Sequence, residues 1–388
     1  MFVGARYISP LLATMKKFLF LLTLFAVATQ SCAANTQLQS PYKLALPGYK
    51  FSFPRDHAAH PQYSTEWWYY TGHLRDQNGR RFGYQLTWFR QALLPKLAGR
   101  TSHWATRDVV FAHFALTDER GQRFFFTDRI SRSAAGIAGS STRNAHVWIG
   151  DWDLRFNGQI QLLHARGNSN AKATDGAPFS LDLTQTPLKP LVVHGQSGVS
   201  QKAQGLGHAS HYYSFTRLKT HGVLKVGNEV LQVDGQSWFD HEFGSNQLAR
   251  NQIGWDWFAL QLNDGRELML YRMRLRGGGT DPFSSGTLIE KDGKSQALSL
   301  RDFSFQPLAT WKSAQTGATY PARWRVRIPR AKLDLTVEPT VANQELVTAR
   351  STGIAYWEGS VRVLDRGKNI GQGYVELTGY DKPFSGTF

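Results

Sequence analysis

The sequence is almost without cysteine, since Cys32 is the only one among its 388 residues. Cys32 lies near the N-terminus, in a segment that we expect to be removed on export. The mature protein would then have no disulfide. Its stability must come from the burial of side chains rather than from covalent cross-links.

Familiar catalytic and nucleotide-binding motifs are also missing. The sequence has no HExxH pair, no GxSxG elbow, no P-loop and no Rossmann glycine signature. Two His-x-x-His pairs, His57 with His60 and His208 with His211, lie in strand or loop context, where this spacing does not place both rings on one side. We therefore expect no metal site and no cofactor. No motif in the sequence supports hydrolysis by a serine nucleophile or by zinc.

The chain is basic, with 45 Lys and Arg against 29 Asp and Glu and a formal net charge of +16. The basic residues are scattered and form no run that would grip phosphate, so we expect no nucleic-acid partner. Aromatic residues make up 13% of the chain and include 12 Trp. Such enrichment is typical of β-structure and of pockets for apolar ligands, which makes an apolar small molecule or lipid the expected partner.

The N-terminal segment has the features of a secretory signal. From Met15, the predicted start, two lysines precede a short apolar stretch and a small-residue exit. The stretch is too short for a stable membrane span. We predict a signal peptide over 1–33 and a periplasmic or secreted mature chain. The alternative is a lipoprotein held at the membrane through a lipid anchor on Cys32.

Beyond residue 40 there is no long apolar run and no sustained 3.6-residue periodicity. Alternating runs bounded by Gly, Asn, Asp and Pro dominate instead, which indicates antiparallel strands. Hairpins are predicted over 109–128, 222–235 and 260–275. The sequence therefore predicts an all-β fold, either a sandwich or a barrel.

One long hairpin motif occurs twice, because the segment 67–90 aligns with the segment 255–274. The aligned pairs are Trp67 with Trp255, Tyr69 with Trp257, Tyr70 with Phe258, Leu74 with Leu262, and Asp76 with Asp264. A repeated hairpin suggests two related β-domains in tandem. We predict the change of domain between residue 235 and Gly254, with the domains assigned as 34–235 and 236–388.

The strongest candidate site combines two predicted strands. Alternate side chains of a strand share a face, so His211 and Tyr213 point one way, and Trp238 and Asp240 share a face of the other strand. If the strands are neighbours, these four side chains meet on one wall. A protonated carboxyl group there could protonate an alkene while the imidazole activates water and aromatic faces stabilise the cation. The alternative is structural, with Asp240 and His241 satisfying hydrogen bonds in the core.

A second candidate is the aromatic run STEWWYYTGHL at 64–74. Its side chains alternate between two faces, and we expect only one face to look into an interior. A buried Glu66 needs a partner, so a structural ion pair is the alternative to a role in a site. His113 lies on an apolar strand, where a hydrogen-bonded core histidine is the alternative. The ligand-binding candidates are Glu66, Trp68, Tyr70, His113 and His241.

Seven motifs resemble the AttH-like family of secreted proteins, which also contains the carotenoid 1,2-hydratases (CrtC). The motifs are TEWWYYTGHL (65–74), AHFALTD (112–118), HYYSFTRL (211–218), SWFDHEFGS (237–245), GWDWFALQL (254–262), YWEGSVRV (356–363) and GQGYVELTGY (371–380). The resemblance implies two lipocalin-like β-barrel domains in tandem and an exported protein.

In the hydratase branch, water is added across a terminal carbon–carbon double bond of an acyclic carotenoid without a cofactor. By this resemblance Asp240 matches the catalytic acid and His211 the catalytic histidine. Tyr213 and Trp238 fall on two aromatic positions of that site, with Tyr and Trp exchanged. The exchange puts the substrate in doubt, and related lipocalin-like proteins catalyse other reactions on the same scaffold.

We therefore predict an exported two-barrel protein that binds an apolar isoprenoid or acyl-chain ligand at the interface or mouth of the domains. Its predicted activity is cofactor-independent hydration by acid catalysis. Two alternatives remain open. One is a periplasmic carrier or chaperone for lipid or lipoprotein, and the other is a secreted hydrolase.

Overall fold

The structure is a computed structural model that describes residues 40–97, 99 and 101–384. The predicted start at Met15, the signal peptide at 1–33 and Cys32 lie outside the described residues. Within the described ranges no helix is long and apolar enough to span a membrane. The helical segments described are three short 3-10 helices, Arg55–His57, Lys172–Thr174 and Pro329–Ala331.

The first thirteen strands form one antiparallel sheet. They are β1 (Thr65–Asp76), β2 (Arg81–Ala92), β3 (Asp108–Asp118), β4 (Arg123–Arg132), β5 (Ala138–Ser140), β6 (His146–Ile149), β7 (Trp152–Asn157), β8 (Ile160–Asn168), β9 (Pro178–Pro187), β10 (Val192–Val193), β11 (Val199–Gln201), β12 (Ala209–Val226) and β13 (Glu229–Gly244). Their order is β4-β3-β2-β1-β13-β12-β9-β8-β7-β6-β5, with β10 and β11 paired to β12. Strands β3 and β4 at one end contact β5 and β6 at the other. The sheet therefore closes almost completely on itself, and we call it the first barrel.

The remaining strands form a second antiparallel sheet. They are β14 (Gln252–Leu262), β15 (Glu267–Leu275), β16 (Ser285–Ile289), β17 (Ser295–Ser299), β18 (Ser304–Lys312), β19 (Thr319–Ile328), β20 (Leu333–Pro339), β21 (Glu345–Val347), β22 (Ala355–Asp365) and β23 (Lys368–Thr378). Their order is β17-β16-β15-β14-β23-β22-β20-β19-β18, with β21 paired to β22. This second sheet curves into a half-barrel. The prediction of an all-β chain with two barrel-like units in tandem is confirmed.

The chain passes from one sheet to the other between Gly244 and Gln252, inside the interval predicted to hold the boundary. The finer division at 235/236 needs correction because it cuts β13. That strand pairs with β1 as far as Gly244 and so belongs entirely to the first barrel.

The aromatic run of β1 is buried on both faces. Trp68 and Tyr70 point into the core of the first barrel, whereas Tyr69 belongs to a separate apolar layer between the sheets, against which Trp67 packs. The expectation that only one face looks into an interior was therefore wrong. The reason is that the second sheet covers the outside of β1, so the strand lies between two apolar layers.

The repeated hairpin occupies equivalent places in the two sheets. Strand β1 lies between β2 and β13, the last strand of its sheet, and β14 lies between β15 and β23, the last strand of its own. The aligned residues also play equivalent parts, since Tyr70 lies in the core of the first barrel and Phe258 in the core of the second sheet. Tyr69 and Trp257 both lie between the sheets, where their rings meet edge to face at 5.1 Å.

Candidate functional site

A cavity of ≈ 330 Å³ lies between the two sheets, and we call it the inter-sheet cavity. Its walls are rich in aromatic residues from both sheets, namely Trp67, Tyr69, Trp255, Trp257, Tyr271 and Tyr356. Four carboxyl groups also line it: Asp240, Glu242, Glu358 and Glu376. An apolar space with a few convergent polar groups is the usual form of a small-molecule site.

The repeat builds this cavity from matching parts. In the first barrel Tyr69 on β1 is the direct partner of Asp240 on β13. In the second sheet Trp257 on β14 is the direct partner of Glu376 on β23. Cross-strand partners share a face, so each sheet contributes an aromatic ring and an acid side by side. Each acid also accepts a hydrogen bond from an indole, Asp240 from Trp238 at 2.7 Å and Glu376 from Trp255 at 3.1 Å.

Two donors converge on one oxygen of the buried Asp240 carboxyl group. The Trp238 indole and the Ser214 hydroxyl both donate to its Oδ1. Oδ1 is thus the carbonyl-type oxygen, and Oδ2 is left to carry a proton. Burial raises the pKa of Asp240 to about 7, and the neighbouring Glu242 acts in the same direction. At neutral pH a large share of Asp240 is therefore protonated, on a wall of the cavity.

A chain of buried polar groups orients Ser214. The Nε2 atom of His194 lies 2.7 Å from the Ser214 hydroxyl, and its Nδ1 atom lies 2.8 Å from the Thr287 hydroxyl of the second sheet. Burial and the charge of Lys202 lower the pKa of His194 to about 3, so the ring is neutral. Thr287 then donates to Nδ1, Nε2–H donates to Ser214, and Ser214 donates to Asp240. The chain holds the acid in one orientation.

The other three acids of the cavity have different neighbours. Burial raises the pKa of Glu376 to about 8, and Glu242 and Asp240 add to this effect. The pKa of Glu358 lies well above its ordinary value because of burial and of Glu376, its cross-strand partner. Tyr69 donates to Glu358 Oε1 at 2.5 Å. Glu242 is instead paired with the ammonium of Lys202 at 3.4 Å.

The predicted common wall of His211, Tyr213, Trp238 and Asp240 is wrong. Strands β12 and β13 are neighbours, but the direct partner of Asp240 is Ser214, and the partners of His211 and Tyr213 are Phe243 and His241. His211 and Tyr213 therefore lie on the opposite face of the sheet from Asp240.

None of the predicted residues on that opposite face borders the inter-sheet cavity. The His211 ring stacks on Tyr49 at 4.2 Å. Trp238 lies on the Asp240 side and packs against Trp257 between the sheets. Its role there is to donate to the acid, and it is not among the residues that line the cavity.

The ligand-binding candidates divide in the same way. His113 does line the inter-sheet cavity, with Nδ1 2.7 Å from the hydroxyl of Tyr356. Burial lowers the pKa of His113 to about 3, so it is neutral. Glu66, Trp68, Tyr70 and His241 lie on the inner face of β1 and β13 and do not line this cavity. These four residues were predicted to line the ligand site, but they do not line the inter-sheet cavity. Alternation along each strand points their side chains into the first barrel instead.

Glu66 is the centre of a buried ion-pair network. It accepts hydrogen bonds from His60 Nδ1 at 2.7 Å, His241 Nε2 at 2.9 Å and Arg90 Nε at 3.1 Å. The atoms of His60, Glu66 and His241 are close enough together to hold a metal ion. However, they already bond one another, and the Arg90 guanidinium supplies a positive charge. The arrangement is that of the structural ion pair considered as the alternative for Glu66.

Comparison with known proteins identifies the family of the chain. Residues 44–380 match the model of the AttH-like family. The chain belongs to the AttH-like family. The solved structure of an AttH-like protein from Nitrosomonas europaea is 31% identical, has a TM-score of 0.78, and matches over 87% of this chain and 99% of its own.

A second solved structure, kievitone hydratase from Nectria haematococca, is 17% identical with a TM-score of 0.63, over 88% of this chain and 98% of its own. It shares the fold. No curated protein matches the chain.

Several residues of this candidate site were missed in the sequence. Glu376 could have been found, because it lies in the motif GQGYVELTGY. The strand with this motif pairs with β14, where Trp257 is the residue that the repeat aligns with Tyr69. The same alignment that joins Tyr69 to Trp257 therefore leads to Glu376 as the counterpart of Asp240. His194, Lys202 and Glu358 gave no such signal, since their contacts cross between segments far apart in the chain.

Proposed function

We propose that this AttH-like protein hydrates a carbon–carbon double bond of an apolar isoprenoid or acyl-chain ligand in the inter-sheet cavity, with Asp240 as the proton donor and no cofactor. The observation that carries the proposal is the state of Asp240. It is a buried acid whose pKa is raised to about 7 and which accepts hydrogen bonds from Trp238 and Ser214 at Oδ1, beside aromatic rings that favour apolar substrates.

The reaction begins with proton transfer from Oδ2 of Asp240 to one alkene carbon. The π electrons form the new C–H bond and leave a carbocation on the other carbon. The faces of Tyr69 and Trp257 lie beside Asp240 and Glu376, and aromatic faces stabilise cations. The carboxylate left on Asp240 stabilises the same charge.

Water then attacks the cation and loses a proton. Glu242 lies two residues from Asp240 on the same face of β13 and is paired with the Lys202 ammonium. We assign it as the acceptor of the water proton. The proton returns to Asp240 through solvent in the cavity, so the net reaction is the addition of one water to one double bond.

The fold and the N-terminus support the proposal in different ways. Kievitone hydratase has this fold, so the scaffold is one on which a hydratase exists. The segment up to residue 33 has the composition of a signal peptide, and we include export in the proposal. Recovery of the mature chain from the periplasm, with its N-terminus identified by sequencing, would test the export.

The activity test uses acyclic isoprenoid alkenes such as farnesol and squalene in ¹⁸O-labelled water. Mass spectrometry should detect a product that has gained one labelled water. Asp240→Asn should slow the reaction by about 10² to 10⁴-fold, the usual contribution of a general acid. Asp234→Asn, an exposed position on the same strand, should not. An isoprenoid that binds but is released unchanged would contradict the hydratase and indicate a carrier.

A further inference from the structure

A second cavity, of ≈ 540 Å³, lies at one end of the first barrel, and we call it the barrel-end cavity. It is bounded by the β7–β8 turn, the chain that follows β9, and the segment before β1. None of its lining residues belongs to the inter-sheet cavity. Three phenylalanines, Phe53, Phe156 and Phe215, surround the ring of His57 at centroid distances of 4.7 to 5.8 Å. Leu188 lies at its rim and is 50% exposed.

A buried relay fixes the tautomer of His57. Although burial opposes ionisation of Glu66, its contacts with His60, His241 and Arg90 hold its pKa below the ordinary value. The carboxylate accepts from Nε2–H of His241, whose own pKa is lowered by burial. A neutral His241 has a bare Nδ1, and this atom accepts the Tyr213 hydroxyl at 3.1 Å. The Glu66 carboxylate therefore decides which atom donates in each hydrogen bond of the relay.

The last member of the relay is His57 itself. Because the only hydroxyl proton of Tyr213 is given to His241, the Tyr213 oxygen accepts from Nδ1–H of His57 at 2.7 Å. Burial lowers the pKa of His57 to about 4, and the neighbouring His241 adds to this effect. The neutral ring therefore has its lone pair on Nε2. Within the described residues Nε2 has no hydrogen-bond partner, and His57 is a wall of the barrel-end cavity.

Gln161 also lines the barrel-end cavity. The Tyr70 hydroxyl donates to Oε1 of Gln161 at 2.9 Å. The amide Nε2 of Gln161 is buried, and in the part of the chain that the structure describes it has no hydrogen-bond partner. A buried donor without an acceptor costs stability, so its retention needs an explanation. A ligand oxygen in the cavity would provide the acceptor.

The cavity offers no free charge among the described side chains that line it. Its only charged lining residue is Lys189, and the ammonium of Lys189 is held by Glu267 at 2.8 Å and by the carbonyl oxygen atoms of Gly265 and Glu290. An anionic ligand would find no unpaired cation there. The site therefore favours a neutral molecule.

We propose that the barrel-end cavity is a second binding site, for a neutral and largely apolar molecule that carries one hydroxyl group. The ligand hydroxyl donates to Nε2 of His57, and its oxygen accepts from Nε2 of Gln161. The three phenylalanines enclose the apolar body. This site works independently of the hydration proposed for the inter-sheet cavity. In this proposal Glu66 and His241 orient His57, and Tyr70 contacts Gln161, so these three residues support the binding site without lining it.

The experiment compares 2-naphthol with 2-methoxynaphthalene, which has the same rings but no hydroxyl donor. Binding is followed by naphthalene fluorescence excited beyond the tryptophan absorption. We expect 2-naphthol to bind about tenfold more tightly, the value of one good hydrogen bond to a buried partner. His57→Phe should remove most of this preference, whereas Gln161→Leu should weaken binding of both probes, because the ether oxygen of 2-methoxynaphthalene can accept from Gln161 as well.

Two further variants locate the site without altering the relay. Leu188→Trp narrows the rim of the barrel-end cavity and should weaken binding of both probes. Ile354→Trp, in the wall of the inter-sheet cavity, should leave binding unchanged. Circular dichroism checks the fold of each variant. Equal affinity for the two probes, or loss of binding in Ile354→Trp but not in Leu188→Trp, would overturn the proposal.

Discussion

The carboxyl group of Asp240 binds its proton more tightly in the folded chain than in the unfolded chain. Burial raises its pKa from 3.8 to about 7. The stability that the bound proton contributes is complete below pH 3.8 and is lost as pH rises through about 7. The shift is worth roughly 4 kcal/mol. Asp240→Asn keeps the acceptor at Oδ1 and should be the more stable protein at pH 8, by up to about this amount.

Urea unfolding of both proteins between pH 4 and pH 8 measures this effect. Near pH 4 the folded wild type is neutral at this position, so the two curves should converge. A stability difference that is the same at every pH would show that Asp240 is not a buried neutral acid.

The same proton controls the proposed reaction. Protonation of an alkene requires the neutral form of Asp240, whose pKa is about 7. The rate constant kcat/KM should therefore be constant at lower pH and fall about tenfold per pH unit well above 7. A pH profile of the wild type with a saturable isoprenoid alkene makes this measurement. A rate that rises with pH would exclude Asp240 as the acid.

Glu66 has the opposite dependence on pH. Its contacts in the first barrel hold its pKa below the ordinary 4.5, so its contribution is present above pH 4.5 and is lost as pH falls. Glu66→Gln removes the buried carboxylate shared by His60, His241 and Arg90, leaves Arg90 only Asp108, and should lower the free energy of unfolding by about 3 to 5 kcal/mol at pH 7. Glu229→Gln, which removes an exposed pair with Arg80, should cost less than about 1 kcal/mol. Chemical denaturation of both variants compares the two, and equal losses would contradict the burial argument.

At the level of elements, one irregularity in the β12–β13 hairpin decides which side chains meet. The turn and the alternation of the strands were predictable from the sequence. Near the turn, Leu218 pairs with Ser237, and continued regular pairing would place Phe215 opposite Asp240. The face of His211 and Tyr213 would then be the face of Asp240, as the sequence suggested.

A β-bulge between Phe215 and Leu218 instead makes Phe239 the partner of Phe215. This shift by one residue moves the whole His211 face to the other side. A bulge of this kind follows from tertiary packing and leaves no clear local signal. The repeat, by contrast, was visible because aromatic and aliphatic positions recur in order, as Tyr69 and Trp257 do.

Gly235 of β13 lies against the backbone of β1. A Cβ atom at this position would lie 1.9 Å from the backbone carbonyl oxygen of His73. The backbone can move aside only by breaking strand pairing, so Gly235→Ala should destabilise the protein by about 2 kcal/mol or more. Gly277→Ala is the matched control, because nothing lies within 4 Å of a Cβ there. Its thermal unfolding should be close to that of the wild type, and a similar loss in both variants would contradict the steric account.

For the whole molecule, polar contacts join the two sheets in addition to the apolar layer between them. Glu267 on β15 is fully buried and accepts from Arg217 of β12 at 2.6 Å and from Lys189 at 2.8 Å. Such shared burial makes separate unfolding of either sheet expensive, since it would leave charges unpaired. We therefore expect calorimetry to find one transition for the described fold, with equal calorimetric and van't Hoff enthalpies.

Glu267→Gln tests whether this contact belongs to the whole fold or to one sheet. It leaves both cations without their carboxylate, so we expect a loss of about 3 kcal/mol and a fall in Tm of several degrees. The single transition should move as a unit, because the first barrel and the second sheet lose the contact together. Asp334→Asn removes an exposed pair with Arg325 and should leave Tm nearly unchanged. A calorimetric trace that separates into two peaks, in the wild type or in Glu267→Gln, would mean that the sheets fold independently and meet across the cavity only after folding.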